Sequence, residues 1–165
     1  MSTTQDGRRA LRLTAVLLVL LGAGLVLVAF RYLDWYQVPH RADSAGKVTF
    51  ATLHSNADQL SGVGTATAYF DWLAWLLLIL LIGVGIAANL SAPLTDALRV
   101  AGFLLGVLGA AATYLAVAQL HDAQVAAGAP KHSVFYNSSW GLWAAFIGYL
   151  AAAAGAALGP RAEAP

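Results

Sequence analysis

Charged residues divide the chain into four long apolar stretches. These stretches comprise residues 13–30, 72–88, 100–120 and 140–159, and they consist mostly of Leu, Val, Ala, Ile and Gly. A bilayer core of roughly 30 Å is crossed by about 20 helical residues, and a range of about 17 to 25 is tolerated. None of the four stretches has the polar face, repeating every 3.6 residues, that a helix on the core of a water-soluble protein carries. The pattern predicts four transmembrane helices.

We therefore expect an all-α membrane protein, a four-transmembrane-helix bundle that forms a single domain over residues 1–165. The predicted helices cover residues 11–31, 70–89, 92–120 and 138–159, with outer loops at residues 32–69 and 121–137. A secretory signal is the alternative for the first stretch. It is disfavoured because 18 apolar residues exceed the usual span of about 7 to 15, and no small-residue cleavage pattern follows.

The large first loop contains a candidate for β-structure. Residues 47–53 are rich in β-branched residues and predict a short strand, for which residues 62–67 are the expected partner in a small β-hairpin. Irregular glycine-rich structure is the alternative. The loop at residues 89–96 is much shorter, with Asn89, Ser91, Pro93 and Asp96 in positions that can end one helix and begin the next. The second and third helices should therefore be antiparallel neighbours.

The orientation follows from the basic residues beside the spans. Arg8, Arg9 and Arg12 precede the first helix, and Lys and Arg are enriched on the cytoplasmic side of membrane proteins. Four crossings return the C-terminus to the side of the N-terminus. We therefore predict a multi-pass protein of the plasma membrane with both termini in the cytoplasm.

Small residues recur every four positions along the third and fourth helices. They are Gly102, Gly106 and Ala110 on the third, and Ala144, Gly148 and Ala152 on the fourth. Lipid tails provide no hydrophobic drive for helices to associate, so close backbone approach through small residues is a common source of packing energy. We expect these two helices to be in contact through these residues.

The composition excludes several classes of protein. The chain is 59% hydrophobic and 10% charged, whereas a soluble domain averages roughly 25% charged residues. A net charge of +1 argues against nucleic acid as a partner, and the absence of Cys excludes disulfides and thiol chemistry. With 35 Ala and seven Arg against two Lys, the chain resembles the small four-helix integral membrane proteins of high-GC actinobacteria, mycobacteria included.

Aromatic residues are concentrated on the predicted outer side, where 13 of the 17 lie in or beside the loops. An aromatic belt is expected at both membrane interfaces, so it explains these residues but not their one-sidedness. We expect an outer-face binding surface, whose candidate residues are Tyr32, Asp34, Trp35, Tyr36, Tyr69, Asp71, Trp72, Trp75, Phe135, Tyr136, Trp140 and Trp143.

Within that set, the pattern Tyr-x-Asp-Trp occurs at residues 32–35 and 69–72, on either side of the large loop. Structural roles are expected for both acids: Asp34 would pair with Arg31, and Asp71 would cap the second helix. The alternative is that the two carboxylates, surrounded by rings, bind a cation or a sugar hydroxyl.

Other chemistry has little support in the sequence. All four His fall in the outer loops, at positions 40, 54, 121 and 132, but without the spacing of a metal site. The four apolar stretches contain no Asp, Glu, Lys, Arg or His that could line an ion path. The sequence does not indicate a nucleophile and a general base within one site. We therefore expect no catalytic residues, no metal and no cofactor.

Two functional hypotheses follow. The first is a non-enzymatic accessory or scaffolding subunit, which binds a membrane-protein partner or a second copy of the chain through its outer loops and aromatic face. The second is an outer-leaflet protein that binds or transports a lipid or small molecule, with a pocket formed by the two Tyr-x-Asp-Trp segments and residues 135–143.

Overall fold

The structure is a computed structural model, and it describes residues 3–37, 47–57, 64–90, 95–126, 128, 131–136 and 138–158. It is mostly helical, with one small antiparallel sheet. In chain order the elements are α1 (Thr3–Tyr32), β1 (Asp34–Gln37), β2 (Lys47–Thr49), α2 (Phe50–Ser55), α3 (Thr65–Ala68), a π-helical turn (Tyr69–Leu73), α4 (Ala74–Leu90), α5 (Thr95–Ala126) and α6 (Trp140–Ala157).

Among the described residues, four helical segments are long and apolar enough to cross a membrane: Gln5–Tyr32, Thr65–Asn89, Asp96–Ala126 and Trp140–Ala157. The second runs without a break through α3, the π-helical turn and α4. Three of the four helices extend past the apolar stretches that predicted them. α1 begins at Thr3, eight residues before the predicted start at residue 11, and α5 continues to Ala126 rather than ending near residue 120.

The four long helices run up, down, up and down. α1 contacts α4 and α6, α5 contacts α4 and α6, and α4 and α6 also meet across the centre of the bundle. The predicted contacts between α4 and α5 and between α5 and α6 are both confirmed. We call the end where α6 begins and the sheet lies the loop end, and the end where α1 begins and α6 ends the tail end.

The most extensive helix contact is the α1–α6 seam, where glycines allow the two backbones to touch. A Cβ on Gly148 would lie 2.6 Å from the Gly22 carbonyl oxygen, and a Cβ on Gly155 would lie 2.8 Å from that of Ala15. At Gly22, a Cβ would lie 2.5 Å from the Gly148 carbonyl oxygen. Any side chain larger than hydrogen at these positions would have to push the helices apart.

The small residues of α6 are shared between two neighbouring helices. On α5, Gly102 faces Ala156 and Gly106 faces Ala153. The expected partners Gly148 and Ala152 lie instead against Gly22 of α1. Ala110 is buried in the bundle, and Ala144 packs against its core. α6 carries small residues on two faces, one against α1 and one against α5. The prediction that Gly148 and Ala152 contact α5 is wrong, because these two residues lie on the face against α1.

The predicted hairpin is corrected in its pairing. β2 pairs with β1. Of the expected partner strand, residues 62–63 lie outside the described residues, and Thr65 already begins α3. The predicted strand is also cut short after Thr49, whose hydroxyl accepts a hydrogen bond from the Thr52 amide at 3.2 Å and caps α2. A side chain of α5 holds the start of α3: the Gln119 amide oxygen accepts a hydrogen bond from the Ala66 N–H at 3.0 Å.

The sheet contains a bulge that brings two consecutive side chains into the core of the loop end. Asp34 pairs with Thr49 and Tyr36 with Val48, so Trp35 is an extra residue on β1. Side chains of a regular strand alternate between its two faces, and a bulge breaks that alternation. As a result the consecutive residues Trp35 and Tyr36 are both buried.

Trp35 lies in a closed cluster of rings that we call the aromatic plug: Phe30, Trp35, Phe50, Tyr69 and Phe70. Phe30 stacks on Phe50 with 4.1 Å between ring centroids, and the Trp35 and Phe70 rings meet edge to face at 5.7 Å. The Trp35 indole N–H donates a 2.9 Å hydrogen bond to the Ala29 carbonyl, one of the last four of α1, which have no helical partner. The plug joins the loop end of α1 to the π-helical turn.

The α1–α6 seam gives the first testable prediction. Gly148→Val should destabilise the bundle by about 1 to 3 kcal/mol, because the new methyl groups would clash with the α1 backbone. Gly83→Val is the matched control, since a Cβ there meets nothing within 4 Å, and it should change stability by less than about 0.5 kcal/mol. Unfolding in a denaturing detergent titration measures both. Equal stability of the two variants would contradict the seam.

The plug gives the second prediction. Trp35→Ala removes a fully buried indole and its hydrogen bond, so it should cost about 3 to 5 kcal/mol. Trp140→Ala is the control because Trp140 is 79% exposed, and its loss should be nearly neutral. Thermal unfolding in mild detergent compares the two. A Trp35→Ala protein as stable as the Trp140→Ala protein would show that the plug does not hold the loop end.

Candidate functional site

The structure divides the predicted outer surface into a buried set and an exposed set. Trp35, Tyr36 and Tyr69 are buried, which corrects their assignment to a binding surface. The physical reason is the bulge for the first two and the π-helical turn for Tyr69, since each turns the ring into the bundle. They are residues of the core.

Tyr36 and Tyr69 use their hydroxyls inside the protein. The Tyr36 hydroxyl donates a 3.2 Å hydrogen bond to the Val117 carbonyl of α5, and burial raises the pKa of Tyr36 well above its usual value. The Tyr69 and Thr113 hydroxyl oxygens lie 2.7 Å apart, and Thr113 donates its own proton to the Gly109 carbonyl. These side chains join elements of the loop end to α5.

Across the centre of the bundle, the Tyr149 hydroxyl of α6 donates a 3.1 Å hydrogen bond to the Ala74 carbonyl of α4. Its ring lies on Gly109 of α5, where a Cβ would overlap it. Tyr149 therefore occupies the meeting point of three helices. The sequence marks Tyr149 and Thr113 only as isolated polar groups within the spans, and their partners come from other helices.

Five exposed rings lie on α5, on α6 and in the segment between them, and we call them the α5–α6 aromatic patch: Tyr114, Phe135, Tyr136, Trp140 and Trp143. Phe135 is its centre, with ring centroids 5.8 Å from Tyr114 and 5.1 Å from Trp143. Tyr114 is missing from the predicted surface because it lies within an apolar span, and only the folded loop shows its contact with Phe135.

Local geometry explains how the patch is held. Residues 133–136 form a turn in which the Tyr136 N–H donates to the Ser133 carbonyl at 2.9 Å. Ser138 donates to the Phe135 carbonyl from both its amide and its hydroxyl, at 3.1 and 2.8 Å. Because the next residue donates its amide to the Trp35 carbonyl, the turn is tied directly to the plug. The patch is thus built on a fixed segment.

A second exposed group lies on the other side of the loop end and contains Tyr32, Asp71, Trp72 and Trp75. Trp75 partly covers the plug, with its ring edge-on to Phe30 at 5.3 Å. Asp71 lies exposed in the π-helical turn and not at the start of a helix, because the span begins earlier, at Thr65. Its expected capping role is therefore corrected.

Asp34 also differs from its expected role. Its carboxylate lies 3.5 Å from the Lys47 ammonium across the sheet, in place of the expected pair with Arg31. Pairing of β1 with β2 brings the lysine close, whereas Arg31 lies exposed on α1. With one acid paired to Lys47 and the other exposed to solvent, the Tyr-x-Asp-Trp segments do not present two similar carboxylates.

The described histidines have separate surroundings. His54 donates from Nδ1 to the Phe70 carbonyl in the π-helical turn at 2.9 Å, and His132 stacks on Tyr136 with 4.3 Å between ring centroids. His121 lies near the end of α5, and His40 is outside the described residues. Within the part of the chain that the structure describes, no three His, Asp or Glu side chains come together as a metal site.

The site that remains is an exposed aromatic surface on a hydrogen-bonded segment. Large rings on rigid elements bury much area at little entropic cost, which suits recognition. The chain matches no protein-family model, no curated protein and no solved structure.

Proposed function

We propose that this chain is a non-enzymatic, multi-pass protein of the plasma membrane with both termini in the cytoplasm. It acts as an accessory or scaffolding subunit, and it binds a membrane-protein partner through the α5–α6 aromatic patch.

Residence in the membrane is supported by the exposed surface of the spans. Only a third to a half of the apolar window of each span is buried inside the protein, from 33% to 50%. The remainder carries exposed large side chains on every long helix, among them Leu21, Ile79, Leu104 and Ile147. A water-soluble monomer rarely exposes contiguous apolar patches above a few hundred Å², so lipid is the fitting solvent.

The orientation is supported by the position of the arginines. Arg9 and Arg12 lie exposed at the tail end, beside the first span. Basic residues next to the first span favour the cytoplasmic side. The tail end then faces the cytoplasm, and the α5–α6 aromatic patch faces outward.

The observation that carries the partner proposal is Phe135. Trp and Tyr are enriched in aromatic belts because each has a polar atom for the headgroup layer and an apolar ring for the lipid. Phe135 has no polar atom, yet a fixed turn holds it 40% exposed between Tyr114 and Trp143. A belt does not require this arrangement, whereas a protein interface favours clustered rings on a rigid support.

The alternative, an outer-leaflet binder or transporter of a lipid or small molecule, has weaker support. Its expected pocket used both Tyr-x-Asp-Trp segments, but Trp35 is in the core and Asp34 is paired with Lys47. The first Tyr-x-Asp-Trp segment therefore uses its Trp and Asp side chains in contacts within the protein.

The third prediction concerns the patch itself. A photocrosslinking amino acid in place of Phe135 should form a defined protein adduct in intact cells, and the same amino acid in place of Trp72 should not. Phe135→Ala with Trp143→Ala should weaken that complex at least about 30-fold, since a central interface ring is worth about 2 kcal/mol or more. The complex is measured by recovery in gentle detergent.

Trp72→Ala with Tyr32→Ala is the matched control, because it removes two exposed rings from the other side of the loop end. This variant should keep its partner. An adduct with a second copy of the chain would show that the complex is a homo-oligomer. A crosslink only to lipid, together with recovery as a lone monomer, would contradict the accessory function and favour the alternative.

A further inference from the structure

The tail end of α1 extends beyond the bundle. Near the tail end, Gly155 of the α1–α6 seam lies against Ala15, and α6 ends at Ala157. α1, however, begins at Thr3, so about 12 residues, or about 18 Å of helix, lie past that contact. Every described side chain from Gln5 to Thr14 is exposed, whereas from Ala15 onward buried residues recur along the helix. We call residues 3–14 the α1 extension.

The α1 extension carries exposed arginines on one face. Arg9 and Arg12 are three residues apart, which places their side chains about 60° apart around a helix. Among the residues that the structure describes, no carboxylate forms an ion pair with either. Both guanidinium groups can therefore accept an added anion as a partner.

The position of Arg9 and Arg12 along the helix indicates which kind of anion they would bind. Arg12 directly precedes the apolar stretch of residues 13–30. If that stretch fills the hydrocarbon layer, the α1 extension crosses the headgroup layer, which lies outside it on each side of the bilayer. Phosphates are held in that layer at high density, and a guanidinium binds phosphate oxygens through two parallel hydrogen bonds. A soluble anion would not be concentrated there in the same way.

We propose that Arg9 and Arg12 of the α1 extension form a binding site for the headgroup of an anionic phospholipid. The extension binds it with the guanidinium face, while the exposed Leu13 contacts the upper acyl chain. The proposal depends on insertion of the spans in the membrane. It does not depend on the α5–α6 aromatic patch or on a protein partner.

The test is native mass spectrometry of the full chain in detergent, titrated with phosphatidylglycerol or with phosphatidylethanolamine of the same acyl chains. The wild type should prefer phosphatidylglycerol. Arg9→Gln with Arg12→Gln should reduce that preference about tenfold or more, since each basic residue near an anionic surface contributes about 1 kcal/mol. Arg9→Lys with Arg12→Lys keeps the charge but loses the paired hydrogen bonds of the guanidinium, so its preference should lie between those of the wild type and the Gln variant.

The matched control is Lys47→Gln with Lys131→Gln, which removes the same charge from exposed loop-end positions that do not adjoin an apolar stretch. It should leave the preference unchanged. Equal losses in the two Gln variants would mean that overall charge, and not the α1 extension, selects the lipid. A wild type without preference, or complete displacement of the lipid by millimolar inorganic phosphate, would also overturn the proposal.

Discussion

The rest of the structure depends on the backbone contact between α1 and α6. In lipid the hydrophobic effect does not draw helices together, so packing must come from close contact and from hydrogen bonds. Gly22, Gly148 and Gly155 provide that contact by allowing atoms of the two backbones to touch. The same seam continues at the loop end, where Gly141 lies against the Trp35 indole and leaves no room for a side chain. Helix packing and ring packing are therefore one continuous interface.

This continuity explains why the loop end is rigid enough to present a surface. Trp35 caps the end of α1, its carbonyl accepts a hydrogen bond from the amide of Ser139, and Ser138 holds the turn that carries Phe135. A short chain of contacts thus links the α1–α6 seam to the α5–α6 aromatic patch. Aromatic residues of the loop end divide accordingly into rings that close the bundle and rings that remain exposed.

Much of the architecture was predictable because the apolar stretches correspond to the helices that can cross a membrane. Helix ends were less predictable, because hydropathy marks the lipid-compatible part of a helix and not its full length, as the polar start of α1 illustrates. The burial of Trp35 depends on a bulge, and Phe135 meets Tyr114 only through a folded loop. Both contacts join residues distant in sequence, and no local pattern encodes them. The partner of Gly148 was equally ambiguous, because α6 has small residues on two faces.

The most direct test is the accessibility of single cysteines, which the natural chain lacks. Gln5, Ser55 and Leu104 are all exposed on the protein surface, at the tail end, at the loop end and within a span. In intact cells a membrane-impermeant thiol reagent should label Ser55→Cys, label Gln5→Cys only after permeabilisation, and label Leu104→Cys only after the protein is denatured. Labelling of Leu104→Cys as readily as Ser55→Cys would contradict a bundle set in the membrane. Labelling of Gln5→Cys in intact cells, with Ser55→Cys labelled only after permeabilisation, would show that the orientation is the opposite of the one proposed.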